Sequence, residues 1–286
     1  MADLLFESSS SVSVRRLVVK HKPPYVIAQL SDCHLFAERD KCGYNDINPY
    51  DALAAVFSAI GGYQVDAVLC TGDISGDGSA QSYRHFQSLW QAAEIEAVLF
   101  TLAGNHDSPV HWPADWQPFT AYQYHALPAN WHLHCLPSTF AGARGSLTET
   151  GIGQCRNRLV ETAGSNQYHL MAIHHPLYPA NEWMDKHRLD NPEQLLHLIE
   201  QSEGVQAVVH GHVHTARVQQ HSRPNGDVCR LYACPSSCWQ WGNTAHFSVA
   251  AQTPGFRLIE LSDGGQLHTS VHYLADSPTI SDAQKR

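Results

Sequence analysis

Hydrophobic and polar positions come in blocks along the first third of the chain. An apolar run over 25–30 has the length of a buried strand and stops at Ser31, Asp32, Cys33 and His34. Asn48-Pro49 then supplies a helix cap and first turn, and Leu53, Val56, Phe57 and Ile60 recur at i, i+3, i+4 and i+7, the period of an amphipathic helix. A second strand-sized run over 67–71 ends at Gly72-Asp73. Ser79 opens another helix with Tyr83, Phe86 and Trp90 on one face, and a third run over 97–102 ends at Gly104-Asn105-His106-Asp107. This strand and helix alternation predicts a largely parallel sheet.

Beyond Ser108 the periodicity breaks. Trp112, Trp116, Phe119, Tyr122, Tyr124 and Trp131 stand among prolines, and the stretch 108–165 is expected to form an irregular, cap-like region with short helices. Regular alternation resumes with a strand over 168–173, ending at His174-His175-Pro176, and a helix opened by Asn191-Pro192 and carrying Leu195, Leu196, Leu198 and Ile199. A further strand over 205–209 ends at His210-Gly211-His212-Val213-His214. Pro224-Asn225-Gly226-Asp227 and Ser262-Asp263-Gly264-Gly265 then separate short alternating segments, which predicts antiparallel hairpins. One domain over 14–275 is expected, with tails at 1–13 and 276–286.

Composition narrows the function. No apolar stretch among the 286 residues approaches the ~18 that a membrane-spanning helix needs, so no membrane partner is expected. Lys and Arg number 18 against 27 Asp and Glu, a net −9, which argues against a broad nucleic-acid footprint. The eight cysteines include no C-x-x-C pair, so reduced thiols are expected. The stretch 1–13 has acids and serines where a secretory signal has a basic then an apolar segment, and a cytoplasmic protein is expected, monomeric or homodimeric. The 20 histidines outnumber Lys and Arg combined, and histidine is the commonest metal ligand and a near-neutral acid or base.

Five predicted strand ends each carry a polar cluster: Asp32-x-His34, Gly72-Asp73, Gly104-Asn105-His106-Asp107, His174-His175-Pro176 and Gly211-His212-Val213-His214. Ligand sites of open α/β sheets gather at the carboxyl ends of strands, so these distant clusters can converge. Carboxylates, imidazoles and an amide suit divalent Fe, Mn or Zn better than a closed thiolate zinc site. The number of donors suggests two ions. If Asp73 bridges, Asp32, His34, Asp73 and His214 hold one, and Asp73, Asn105, His174 and His212 the other. Paired ions of this kind serve in-line displacement at phosphorus.

In this order the motifs are similar to those of the calcineurin-like metallophosphoesterase superfamily, over residues 32–214. Within it the chain most resembles the bacterial class III 3′,5′-cyclic AMP phosphodiesterases of the CpdA type. The closer likeness rests on Gly72-Asp73-Ile74 with Asp77-Gly78 and Tyr83, on Trp183, Asp185, Leu189 and Asn191, and on Pro235-Ser236-Ser237-Cys238 before Pro254-Gly255-Phe256-Arg257. The resemblance implies an α/β, four-layer α/β/β/α sandwich with two mixed sheets. It implies the seven metal ligands just given, with His106 as acid or electrophile beside the phosphate and His34, Asp73, Asn105, His106, His174 and His214 facing the substrate. It also implies two divalent ions, Fe2+ with Mn2+ or Zn2+ as substitutes, and attack of a metal-bridging hydroxide in line with the 3′ oxygen to give 5′-AMP. The same metal site would equally serve 2′,3′-cyclic nucleotides or other phosphodiesters.

Several neighbours of these motifs admit plainer readings. Cys33, in an extended segment, would point away from Asp32 and His34 and pack. His175 and His210 either support ligands or are satisfied core histidines, and Asp77 and Asp107 hold loops or orient a histidine. Asn191 reads as a helix cap, and Trp239 and Trp241 stack on a base or fill the core. Gly145-Ser146-Leu147 fits the family's pattern, whereas the segment through Arg156 and Arg158 is less apolar than that pattern. A TIM-barrel amidohydrolase also uses H-x-H, but there it follows the first strand, whereas here D-x-H comes first. A scaffold with a defective metal site is disfavoured because every motif is intact.

Overall fold

The computed structural model describes residues 24–275. The expected tails, 1–13 and 276–286, lie outside the described residues. Among the described residues eleven strands form two mixed sheets. The first contains β1 (Tyr25–Leu30), β2 (Ala67–Cys70), β3 (Val98–Thr101), β10 (Gly255–Leu261) and β11 (Leu267–Tyr273), in the order β11-β10-β1-β2-β3. The second contains β4 (Gln123–Ala126), β5 (Trp131–Cys135), β6 (Tyr168–Ala172), β7 (Val205–His210), β8 (Arg217–Ser222) and β9 (Val228–Ala233), in the order β4-β5-β6-β7-β9-β8. Strands β1, β2 and β3 run parallel, as do β5, β6, β7 and β9. The antiparallel pairs β8/β9 and β10/β11 are the two hairpins expected from their turn residues.

Four α-helices among the described residues cover the outer faces. Helix α1 (Pro49–Ile60) is capped by Asn48, whose side chain accepts from the Tyr50 and Asp51 amides, and α2 (Ala80–Ala92) is capped by Ser79. Both helices pack on the first sheet: Leu53, Val56, Phe57 and Ile60 of α1 meet Tyr83, Phe86 and Leu89 of α2 and Ala28, Leu30, Val68 and Cys70 of the strands. Helices α3 (Glu149–Glu161) and α4 (Pro192–Gln201) pack on the second sheet through Ile152, Leu159, Leu195 and Leu198 against Met171, Val208 and Leu231. Between the sheets lies a third apolar layer, in which Ile27, Leu69 and Ile259 face Trp131, Leu133, Leu170 and Val209. The result is the four-layer α/β/β/α sandwich.

The expected irregular cap needs correction. Residues 123–135 form the β4/β5 hairpin, which extends the second sheet, and α3 follows it. The sequence hid this because α3 mixes Gly151, Gly153, Arg156 and Arg158 with only three buried side chains, Ile152, Cys155 and Leu159. Strand β5 is buried throughout although it carries His132 and His134, so neither shows a clean period. A second correction concerns Asn191. Its side chain makes no cap hydrogen bond; it accepts from the Leu147 amide at 2.9 Å and donates to the Leu147 carbonyl at 2.8 Å, fastening the Gly145-Ser146-Leu147 loop to α4.

Candidate metal centre

The five polar clusters sit where parallel strands end, after β1, β2, β3, β6 and β7, and sandwiching the two sheets brings those ends together. Backbone hydrogen bonds lock the loops to one another. The Asp32 amide donates to the Gly72 carbonyl and the His34 amide to the Asp73 carbonyl, each at 2.9 Å, and the Gly211 amide reaches the His174 carbonyl at 3.1 Å. Five of the seven nominated ligands hold left-handed backbone: Asp32, His34, Asp73, His212 and His214. Side chains disfavour that region, and such strain persists only where surrounding contacts over-determine it. The loop after β1 is therefore not extended. Cys33 does pack, fully buried beside Leu30, Leu35 and Cys70, but because these turns aim its neighbours at the site rather than through simple alternation.

Glycine is required at two of these turns. Gly72 has φ +101°, and a Cβ there would lie 2.5 Å from His174 Nδ1. A Cβ on Gly104 would collide with the backbone and carboxylate of Asp73.

All seven nominated ligands meet in one cluster. His34 Nε2 lies 2.9 Å from His214 Nε2 and 3.8 Å from Asp73 Oδ2. His214 Nε2 is 3.5 Å from Asp32 Oδ1, and His174 Nε2 is 3.5 Å from Asp73 Oδ2. Asn105 Oδ1 stands 3.1 Å from His174 Nε2 and 2.9 Å from His212 Nδ1. Asp32, His34 and His214 can share one ion, and Asp32, Asp73 and His174 lie equally close together. His106 sits at the exposed rim, its ring 4.9 Å from that of His34 and its amide donating to Asp73 Oδ1 at 2.7 Å.

The donor set fits divalent metal. His174 Nδ1 bonds the Thr71 carbonyl at 2.7 Å and His214 Nδ1 the Trp239 carbonyl at 2.9 Å, so each must donate there and turns Nε2 inward. Burial drives His34 down to about 3 and His212 well below the usual imidazole range, which keeps both in the neutral form that ligates metal. Burial also opposes ionisation of Asp32 and Asp73, but the surrounding imidazoles, His214 for Asp32 and His174 for Asp73, outweigh it and hold both carboxyls low. Burial would depress His174 too, yet Asp73, Asp32 and the Thr71 carbonyl together raise it to about 9.

The neighbours of the motifs resolve into supports. Asp107 accepts from the amides of Gly104 at 2.8 Å, Ser75 at 3.0 Å and Ile74 at 3.3 Å, and from the Tyr83 hydroxyl at 3.2 Å. It thus ties the loop bearing Asp73 to the loop bearing Asn105. Asp77 accepts from the Ala37 amide at 2.8 Å and the Ser79 amide at 3.0 Å. His175 bonds Ser138 Oγ at 2.8 Å and the Ala143 carbonyl at 3.3 Å, and its ring lies 4.7 Å from that of His212, so it props the ligand ring. His210 bonds the Gly211 carbonyl through Nδ1 at 3.0 Å.

Beside the cluster opens a cavity of about 440 Å³, lined by His34, His106, Phe36, Tyr44, Trp239 and Trp241 among others. Trp239 stacks on His34 at 5.3 Å and Trp241 on His214 at 4.6 Å, each within 18° of parallel. The two tryptophans therefore both pack on ligand rings and wall the cavity. Tyr44, which sequence reasoning missed, extends this wall, its ring packing edge-on 5.3 Å from Trp239 and 5.0 Å from Trp241. It lies in a loop with no motif, and its only sequence signal was being an aromatic between two of the clusters.

A family model described as calcineurin-like phosphoesterase matches residues 25–216, which include every nominated ligand. The chain belongs to the calcineurin-like phosphoesterase family. Two curated relatives, the 3′,5′-cyclic adenosine monophosphate phosphodiesterases CpdA of Pseudomonas aeruginosa and Escherichia coli K12, are each similar to this phosphoesterase at 31% identity over 88% of its chain and 90% of theirs. The fold is shared with a dimetal phosphatase from Danio rerio at TM-score 0.62 and 13% identity, covering 87% of this chain and 99% of that one. A purple acid phosphatase from yellow lupin shares it at TM-score 0.58 and 15% identity, covering 88% of this chain and 54% of that one. The family and the clustered Asp and His side chains together fit a dinuclear divalent metal centre.

Proposed function

We propose that this phosphoesterase hydrolyses 3′,5′-cyclic AMP to 5′-AMP. The observation that carries the reading is the aromatic cavity opening directly on His34 and His106. A phosphate at the metal cluster would place its nucleoside against the cavity's aromatic wall, where the exposed Tyr44 ring offers a π-face able to stack a base. The likeness to CpdA enzymes over nearly the whole chain supports the same substrate.

Asp32, His34, Asp73 and His214 would hold one ion, and Asp73, Asn105, His174 and His212 the other, with Asp73 common to both. Bound there, divalent ions supply a water of lowered pKa and neutralise charge on the phosphoryl oxygens. The chain's own residues do the rest. His34, Asp73, Asn105, His174 and His214 line the place of the phosphate, and Asp107 and His175 fix the loops and rings that present them. His106 is the proton donor to the departing 3′ oxygen. It is solvent-exposed, its backbone is tied to Asp73, and its ring makes no hydrogen bond among the described residues, so it is free to reach an ester oxygen. The oxygen and nitrogen donors suit Fe2+, with Mn2+ or Zn2+ as substitutes. Seven of the eight cysteines are buried free thiols, which supports a reducing, cytoplasmic setting.

Turnover of 3′,5′-cyclic AMP, 3′,5′-cyclic GMP and 2′,3′-cyclic AMP by purified, metal-loaded protein tests the reading. Hydrolysis of the first to 5′-AMP is expected. Activity restricted to 2′,3′-cyclic nucleotides or to other phosphodiesters would overturn the choice of substrate while leaving the metal centre in place.

A further inference from the structure

Towards the β8 and β11 edges the apolar layer between the sheets thins, Leu267 being the β11 side chain that packs on it. Strands β8 and β11 are polar and half-exposed along much of their length, and a cleft of about 1080 Å³ remains between them and the neighbouring β9 and β10. It shares no lining residue with the metal cluster. Its lining contains three arginines, Arg217, Arg230 and Arg257, and no Asp or Glu, on a chain whose net charge is −9. Arg217 is already committed, donating to the Ala180 carbonyl and Asn243 Oδ1. The other two guanidinium groups come from opposite sheets.

Arg257 lies on the inner face of β10 with Ile259 and Leu261, and is only 2% exposed. Its Nη1 donates to Thr269 Oγ1 at 2.9 Å and its Nη2 to the Ala233 carbonyl at 2.8 Å, which fix the plane of the group. Its Nε–H is buried with no partner, and no carboxylate pairs with it among the described residues. Burying a cation without a counter-anion is unfavourable, and an unpaired buried donor adds to the cost. Arg230, on the same face of β9 as Tyr232 but exposed at the cleft's mouth, has no ion pair among the described residues either. Arg257 stands 5.2 Å from the Tyr232 ring, and both arginines act electrostatically on the Tyr232 hydroxyl, so both charges bear on one end of the cleft.

We propose that this cleft is a binding site for a small phosphate-bearing anion, gripped by Arg257 from one sheet and Arg230 from the other. A planar carboxylate presents two oxygens in one plane, whereas a tetrahedral phosphate offers oxygens to both walls at once, and guanidinium forks match it well. The volume admits a phosphomonoester of nucleotide size as readily as inorganic phosphate. The site is independent of the substrate proposed for the metal centre.

Equilibrium dialysis with radiolabelled inorganic phosphate, on metal-loaded and on chelator-stripped full-length protein, tests this. One metal-independent phosphate per chain is expected, and in Arg230→Ala its affinity should fall about tenfold or more, the usual effect of losing a charged hydrogen-bond donor. Metal-dependent hydrolysis of a simple phosphodiester should be unchanged in that variant. Arg257→Gln should lose the site as well, and if it fails to fold Arg230→Ala still decides. Tighter competition by 5′-AMP than by phosphate would identify a nucleotide as the occupant, and equal competition the phosphate group alone. Absence of metal-independent binding, unchanged affinity in Arg230→Ala, or equal competition by succinate would overturn the proposal.

Discussion

Asp107 is one of the firmest tests of how the metal centre is held in place, because it touches no ion and no substrate in the reading above. Replacing it with alanine removes one buried acceptor from four donors, the amides of Gly104, Ser75 and Ile74 and the hydroxyl of Tyr83. An orphaned buried donor costs about 1 to 3 kcal/mol. The two shortest contacts, at 2.8 and 3.0 Å, carry most of the loss, and admission of water offsets part of it, so Asp107→Ala should lower stability by about 3 kcal/mol. Urea denaturation of metal-free protein reads this loss directly, without the contribution of bound ions. The second consequence is catalytic. The same carboxylate spaces the Asp73 loop from the Asn105 loop, and misplacement by about 1 Å commonly costs about 10²-fold in rate. Asp107→Asn, which keeps one acceptor oxygen, should fall between wild type and alanine in both measurements. An alanine variant with wild-type stability and wild-type kcat would refute the claim that Asp107 braces the two loops.

Three further outcomes are expected. His106→Ala should lower kcat by about 10² to 10⁴ while metal content, read by elemental analysis, stays the same; loss of metal would instead make it a ligand. Tyr44→Ala should raise KM for 3′,5′-cyclic AMP about tenfold yet leave a non-nucleoside phosphodiester little changed, and equal effects on both would remove the stacking role. Burial lowers His134 to about 3 and His169 to about 4, below the value near 6.5 of an unfolded imidazole. The unfolded chain thus binds more protons, so these histidines' contribution is whole above pH ~6.5 and is lost as pH falls towards 4. Urea midpoints should drop across that window, with a shallower slope in His134→Gln, and identical slopes would contradict the assignment.

How much of this was legible beforehand differs from element to element. The strands at 25–30, 67–71 and 205–209 could be read because parallel strands buried on both faces are unbroken apolar runs, and α1 because Asn48-Pro49 marks its start. The nominated ligands stood out because each sits beside a strand end and carries metal-binding chemistry. Strand β5 and helix α3 could not, since their burial depends on partners distant in the chain: His134 is tolerated inside only because Tyr122 and His169 bond its two nitrogens. Asn191 was misread for the same reason, its partner Leu147 lying 44 residues away.

The sequence by itself therefore determined the strand and helix alternation, the donor types and their attachment to strand ends, all of which are local matters of period, turn chemistry and residue type, while the layer order was implied only by the family resemblance. Only the tertiary structure decided that five nominated ligand residues take left-handed backbone, that Tyr44 packs edge-on against Trp239 and Trp241 beside the metal cluster, and that Arg230 and Arg257, from opposite sheets, line one cleft. These depend on how two sheets stack and where their apolar filling ends, and no spacing along one chain encodes that distance.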